Sequence, residues 1–232
     1  MGRRDEERAA LRGLGRPDSV SYLSNHSGLP GPRANIELAL AVADEGDSSC
    51  FDELIATKDE FLVMCGTIGL GRLLAECRDD EIEGRLRAHA VDPRWRIREA
   101  VAMALQRVGD TDIGRLLDLA DNWSLDPRAL VQRAAVAGVC EPRLLRASDA
   151  AARAVALCGR VTDALAKRPT DERKADDVRV LRQALGYCWS VAVAADPQPG
   201  LRRFRDLEDS SDMDVAWIVR ENSRKSRLAR LL

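Results

Sequence analysis

A short phrase recurs four times along this chain: an Asp, four residues, an aliphatic residue and a polar residue, opening an apolar run with helical spacing. The four copies begin at Asp92, Asp126, Asp176 and Asp214. The first two copies begin 34 residues apart and the last two begin 38 residues apart. Repeats of this length are typical of stacked helical hairpins, in which each hairpin buries its apolar face against its neighbours. The sequence therefore predicts an all-α protein, a right-handed α-α superhelix (solenoid) of about five helical hairpins.

The composition agrees with a helical array. Of the 232 residues, 45% are hydrophobic and 32% are charged, but only 4% are aromatic. Ala, Leu and Val supply most of the apolar share, which suits amphipathic helices that pack through small and aliphatic side chains. A β-sandwich would need more aromatic and β-branched residues.

The first 33 residues differ from the rest of the chain. Residues 6–14 can form a short helix, but Gly, Pro and Ser dominate the stretch that follows. Such a composition is typical of an irregular connection or a mobile arm. We therefore predict an N-terminal arm over residues 1–33, partly irregular, and a repeat domain over residues 34–232.

Several helix ends can be predicted from local sequence. In Asp92-Pro93 and Asp126-Pro127 the Asp can cap the first free amides of a helix, and Pro fits the first helical position. Gly109 is predicted to end the first of these helices. The run Asp196–Gly200, with two prolines, is predicted to end a helix over 178–195, and residues 212–232 are predicted to form the last helix of the array.

Three glycines, Gly66, Gly69 and Gly71, lie within a strongly apolar predicted helix over residues 61–74. Each glycine in a helix costs about 1 kcal/mol relative to Ala. We therefore expect a neighbouring helix to approach this one closely.

Charge and cysteine usage exclude several classes of protein. The formal net charge is -2, which weakens a nucleic-acid-binding hypothesis but does not remove it, because a basic stripe can exist within a balanced total. None of the six cysteines forms a CxxC pair, and the two histidines, His26 and His89, are too few and too scattered for a metal site. We expect His89 on an exposed helix surface. The sequence has no charged-then-apolar leader and no run of about 18 apolar residues. We therefore expect a cytoplasmic protein with buried thiols, no membrane contact, no metal and no cofactor.

No strong catalytic signature is present in the sequence: it contains no Walker loop, no Rossmann glycine fingerprint, no Gly-x-Ser-x-Gly and no His-Glu-x-x-His. The segment from Asp92 to Leu105, followed by Val108-Gly109-Asp110, resembles a HEAT repeat, with its Asp-Pro turn, its aliphatic-Arg pair Ile97-Arg98, its Ala-rich helix and its closing Gly-Asp. The resemblance extends more faintly from about residue 34 to the C-terminus. It implies an ARM-like superhelix whose concave face binds a macromolecule, so the leading hypothesis is a non-enzymatic scaffold with a protein partner.

A narrower resemblance is to the DNA-alkylation-repeat glycosylases. That family combines a Trp with an Asp four residues later, an Arg in a Gln-Arg-Ala-Ala helix start, and a Trp after an Ile-Gly pair. Here Trp95 is similar to the first Trp, Glu99 stands in place of the Asp, Arg133 matches the Arg, and Tyr187 replaces the last Trp. The resemblance implies that Glu99 would be the catalytic carboxylate of a DNA glycosylase that removes alkylated bases. Glu99 would stabilise positive charge on the sugar, the aromatic rings would hold the cationic base, and Arg133 would bind phosphate.

Arg98, Arg182 and Arg220 share one position in the repeated phrase. One interpretation is a series of salt bridges to the Asp of the next repeat, and the other is a row of guanidinium groups that binds phosphates or acidic peptides. In the scaffold hypothesis, replacing Arg98, Arg133 and Arg182 would abolish partner capture.

The tryptophans and the basic C-terminus also allow two interpretations. Trp95 and Trp217 lie inside the repeated phrase, where packing in the core or between repeats is one role and contact with a ligand is the other. Trp189 is expected in the core. The segment 217–232 has a net charge of +4 and is either a solvated capping helix or a phosphate-contacting one.

Overall fold

The computed structural model describes residues 2–232, apart from the side chains of Arg16 and Pro17. It divides into two compact units, unit 1 (Met1–Val108) and unit 2 (Gly109–Leu232). Over residues 2–232 the structure consists of helices and their connections, without a strand, which confirms the all-α prediction. The right-handed superhelix of about five hairpins and the domain boundary at residue 34 stay predictions.

Unit 1 is organised around its fifth helix, against which the second, third, fourth and sixth helices pack. Phe51, Phe61, Met64 and Ile68 are fully buried in its core. The helices are α1 (Arg3–Arg12), α2 (Arg16–His26), α3 (Ile36–Glu45), α4 (Ser48–Ala56), α5 (Glu60–Glu76), α6 (Asp80–His89) and α7 (Trp95–Thr111), the last of which continues into unit 2.

Unit 2 is organised around α11, which packs against α9, α10, α12, α13 and α14. Trp189 on α11 is fully buried and its Nε1 donates to Thr162 Oγ1 at 3.0 Å, which confirms the expected core position. The helices are α8 (Ile113–Trp123), α9 (Ala129–Val139), α10 (Ser148–Ala166), α11 (Asp176–Ala195), α12 (Pro197–Arg205), α13 (Met213–Ser223) and α14 (Ser226–Ala229), with 3₁₀ turns at Pro142–Leu144 and Glu172–Lys174.

The N-terminal segment is more ordered than its composition indicates. Helix α2 occupies residues for which an irregular connection was predicted, and it packs against α5 with Leu23 only 2% exposed. Helix α1 packs against α3, where Arg4 donates to Asp44 at 2.6 Å and Arg8 donates to Glu45 at 2.6 Å. Leu23 in the core, Leu11, Tyr22 and Leu29 packed against that core, and ion pairs to another helix hold this segment. A local composition shows none of these contacts.

The close approach predicted from the glycines of α5 is confirmed. A Cβ on Gly69 would lie 2.4 Å from the Phe51 ring, and a Cβ on Gly71 would lie 2.4 Å from Ala104 Cα. Only glycine lets α4 and α7 come this near to α5.

The helices after the two Asp-Pro pairs begin later than predicted. Helix α7 begins at Trp95, two residues beyond Pro93, because the Asp92 carboxylate accepts hydrogen bonds from the Arg94 amide at 2.8 Å and from both sides of the Arg94 guanidinium. Asp126 makes the same three contacts with Arg128 before α9. The bidentate pair holds the Asp-Pro-Arg turn outside the helix.

Two other helix ends also differ from the predictions, whereas the predicted end of the helix over 178–195 is confirmed, since α11 ends at Ala195. Helix α7 runs through Gly109 to Thr111, and a side chain at Gly109 would lie 2.6 Å from Leu116 Cδ2, so this glycine permits packing instead of ending the helix. Helix α12 begins at Pro197, directly after α11, because Pro suits the first helical position. The predicted last helix is divided into α13 and α14.

Candidate ligand-binding cleft

Unit 1 contains an apolar cleft of about 330 Å³ between α5, α7 and the segment that precedes α3. This volume is at the lower end of those of small-molecule sites, so the cleft has room for one large side chain or a flat ring. The cleft is lined by Pro32, Arg33, Ala34, Ile36, Met64, Trp95, Arg96, Glu99 and Met103.

Trp95 is 53% exposed at this cleft. Trp95 is therefore not a core residue, and contact of its ring with a ligand stays a prediction. Its ring is held by Arg96, whose guanidinium carbon lies 4.7 Å from the ring centroid. Arg96 is itself held in place by Glu60 at 3.1 Å and by the Gly31 carbonyl at 3.3 Å. An exposed indole that is fixed in this way loses little entropy when a ligand binds.

Glu99 lies one helical turn after Trp95, and Met103 lies one turn further. Because residues four apart share one face of a helix, all three line the same cleft. Met64, which is 2% exposed, forms part of the cleft wall on α5, and Ile36 is 39% exposed at its edge. The arrangement can hold an apolar or flat group against the indole and a positive charge near the Glu99 carboxylate.

The sequence identified Trp95 and Glu99 as a pair but missed the other walls of the cleft. Met103 could have been found from its spacing, since it continues the same helical face. Arg33, Ile36 and Met64 come from other parts of the chain, and no local pattern connects them to Trp95.

The other two residues of the glycosylase resemblance belong to unit 2: Arg133 lies on α9 and Tyr187 on α11. The four-residue site is therefore divided between the two units, and its convergence stays a prediction. Tyr187 is 41% exposed, its hydroxyl accepts a hydrogen bond from Arg227 Nη2 at 3.0 Å, and the Arg227 guanidinium carbon lies 5.0 Å from the ring centroid.

The three arginines of the repeated phrase have different surroundings. Arg182 donates to Asp214 at 2.5 Å, so its guanidinium reaches the Asp of the next copy. Arg98 instead donates to the backbone carbonyls of Asp92 and Pro93, at 2.7 and 2.8 Å, in its own copy. The side chain of Arg220 is 56% exposed, with Glu221 at 3.9 Å. The phrase therefore does not present a uniform row of guanidinium groups to a ligand.

Among residues 2–232, no group of three or more His, Cys, Asp or Glu side chains is placed to hold a metal ion. No helix in that range combines the length and the apolar character needed to cross a membrane.

No protein-family model matches the chain, and no curated protein is similar to it. Among solved structures, an engineered protein of the Northeast Structural Genomics Consortium aligns with 100% of this chain and 97% of its own, at 14% identity and a TM-score of 0.37. This similarity is too low to carry an argument about fold or function.

Proposed function

We propose that the protein is a non-catalytic, HEAT-like scaffold that binds a protein partner, and that the Trp95 cleft is the centre of its binding surface. The observation that carries this proposal is an indole that is 53% exposed beside two methionines and a carboxylate. Exposed aromatic anchors dominate the energy of many protein interfaces, and methionine adapts to different apolar partners.

The packing of each unit supports a helical-repeat architecture. Helices two apart in the chain pack on each other, as α3 does on α5 in unit 1, and as α9 does on α11 and α11 on α13 in unit 2. Stacked hairpins produce this pattern, because equivalent helices of successive repeats lie side by side. The matching turns at Asp92 and Asp126 also support it.

The chemistry of the cleft indicates what kind of segment the partner presents. Ile36, Met64 and Met103 would surround an apolar side chain that lies on Trp95, and Glu99 would attract a Lys or Arg next to it. The lining carries Arg33 and Arg96 as well as Glu99, so the apolar surface beside Trp95, and not one sign of charge, is the main feature that the partner segment must match. Six cysteines outside disulfides suit a reducing, cytoplasmic location.

The test is to pass a cell lysate over the immobilised protein and to quantify the retained proteins by mass spectrometry. Trp95→Ala should reduce capture at least about tenfold, as the loss of an aromatic anchor does. Leu125→Ala is the matched control, because Leu125 is an apolar side chain in unit 2 that is 78% exposed. If the folded Trp95→Ala variant captures as much partner as the parent protein, the cleft is not part of the binding surface.

A second candidate function is DNA binding of the alkylation-repeat type, with excision of alkylated bases. The specific observation in its favour is that Trp95 and Glu99 line one open cleft, where the indole can stack on a cationic base and the carboxylate can stabilise positive charge.

Incubation with methylated duplex DNA tests this candidate by the release of free base. Release that disappears in Glu99→Gln but persists in Glu81→Gln, a matched change on the exposed side of α6, would establish a glycosylase. Absence of release, together with absence of salt-dependent DNA binding, would leave the protein-binding scaffold as the function.

A further inference from the structure

Unit 2 contains a second cleft, of about 570 Å³, between the turn that precedes α11 and the beginning of α13. Unlike the Trp95 cleft, its lining is rich in charge. The charged groups are Arg173, Lys174, Arg179, Arg182, Asp212 and Asp214. Four cations face two carboxylates, so the lining carries a net charge of +2.

Two of these cations are neutralised within the protein. Arg173 Nη1 donates to Asp212 at 2.5 Å and lies 3.5 Å from Asp214, and Arg182 Nη1 donates to Asp214 at 2.5 Å. Arg173 also donates to the backbone carbonyls of Arg168 and Ala166. All four charged side chains of this network are at least 70% buried. They form a fixed, neutral wall of the cleft.

Lys174 and Arg179 are the source of the positive excess. Lys174 is paired with Asp171 at 3.1 Å and Arg179 with Asp176 at 3.2 Å, but these two carboxylates are 94% and 95% exposed. Ion pairs at this exposure contribute little, because water screens the attraction and both side chains are free to move. Both cations can therefore turn toward an anion in the cleft at little cost.

The remaining lining residues complete a site for an anion that has an organic carrier. Thr170 and Ser211 line the same cleft as the two cations and supply hydroxyl donors. Met213, which is 86% exposed, lies at the same cleft and offers an apolar contact for the group that carries the anion.

We propose that this cleft binds the dianion of a phosphate monoester, with Lys174 and Arg179 as its charge partners and Thr170 and Ser211 as hydrogen-bond donors. Two cations that line the same cleft and are held there only by exposed ion pairs suit a doubly charged terminal phosphate. A nucleic-acid backbone carries one charge per phosphate and needs an extended basic surface, whereas this chain has a net charge of -2. The site is separate from the Trp95 cleft and does not depend on its function.

Calorimetric titration of the full-length protein tests the proposal. Inorganic phosphate and O-phosphoserine are the first two probes, adenosine monophosphate distinguishes a nucleotide from a phosphorylated side chain, and dimethyl phosphate is the singly charged diester control. We expect the monoesters to bind at least about tenfold more tightly than the diester. Binding of the monoesters should weaken below pH 6, because the phosphate then takes up its second proton and loses one negative charge.

The variant pair Lys174→Gln/Arg179→Gln should weaken phosphate binding at least about tenfold, since it removes both charge partners. The matched control is Arg202→Gln/Arg205→Gln, which removes the same charge from exposed positions on α12. Equal weakening in both pairs would show a general charge effect and overturn the proposal. So would diester or duplex DNA binding as tight as that of the monoesters.

Discussion

The guanidinium of Arg182 donates a hydrogen bond to the Asp214 carboxylate at 2.5 Å, and so connects the arginine of one copy of the repeated phrase to the aspartate that opens the next copy. Arg182 also lies over Trp217, with its guanidinium carbon 5.0 Å from the ring centroid. In this part of the chain the phrase therefore does more than start a helix, because Arg182 on α11 contacts Asp214 and Trp217 on α13.

The Arg182–Asp214 pair should contribute measurably to stability. Both side chains are more than two-thirds buried, and replacing Arg182 by Met leaves Asp214 with only the longer contact to Arg173. We expect Arg182→Met to lower the free energy of unfolding by about 1–3 kcal/mol, measured by urea denaturation. A double-mutant cycle with Asp214→Asn should give a coupling energy of about 1 kcal/mol.

The exposed Arg179–Asp176 pair provides the comparison for that cycle, since its side chains are 55% and 95% exposed. Its coupling energy should be below about 0.5 kcal/mol. Equal coupling in the two pairs would contradict a structural role for Arg182.

Two glycine-to-alanine changes should have opposite effects on stability. At Gly71 the new methyl would lie 2.4 Å from Ala104 Cα, where the backbone of another helix cannot yield easily. We expect Gly71→Ala to destabilise the protein by at least about 2 kcal/mol. At Gly84, on the exposed side of α6, no atom lies within 4 Å, so Gly84→Ala should stabilise it by up to about 1 kcal/mol. Thermal and urea unfolding of both variants test the contrast, and stabilisation by Gly71→Ala would refute the close approach.

Acid should loosen the N-terminal helix. Hydrogen bonds from Arg12 and Arg8 lower the pKa of Glu45 to about 2. Because the carboxyl has a higher pKa in the unfolded chain, about 4.3, this contribution to stability is complete above that value and is lost as the pH falls from there toward 2. The hydrogen-exchange protection factors of the α1 amides, which are corrected for the pH dependence of intrinsic exchange, should therefore be lower at pH 3 than at pH 6.

The same loosening should appear at neutral pH in Glu45→Gln. Glu37→Gln is the control on the same helix, and it should leave the exchange of α1 unchanged. Protection factors of α1 that are the same at pH 3 and pH 6 would mean that these ion pairs do not hold the helix.

His89 should make the protein less stable at mildly acidic pH. It was expected at an exposed position, but it lies partly buried within hydrogen-bonding distance of Thr67, with Nδ1 2.8 Å from Oγ1. Burial, which outweighs the attraction of Asp92, lowers the pKa of His89 below its usual value of about 6.5. The unfolded chain then takes up the proton first, so stability falls as the pH decreases below 6.5.

Urea midpoints between pH 7.5 and 5 measure this effect. The pH dependence should be reduced in His89→Gln, which cannot titrate, and retained in His26→Gln. If His89→Gln and the parent protein show the same pH dependence of stability, other groups cause that dependence.

Local sequence was sufficient where a structural feature has a local cause. Helical periodicity is set by the spacing of apolar residues along a few turns, so the all-α class and most helices could be predicted. The glycines of α5 predicted a close approach because glycine in a helix interior needs a packing reason. Trp189 was predicted in the core because apolar neighbours surround it in the sequence.

Tertiary structure decided the features that depend on distant parts of the chain. Helix α2 forms where glycine and proline predicted irregular structure, because α5 supplies a surface for Leu23. The repeated phrase predicts equivalent roles for Arg98 and Arg182, yet one turns to its own backbone and the other to the next copy. Trp95 is exposed because α3, α5 and the segment before α3 leave a cleft beside it. The burial of a side chain depends on all the neighbours that folding brings around it. A repeat pattern can therefore place a side chain on a helix, but only the packing of the whole chain determines what that side chain contacts.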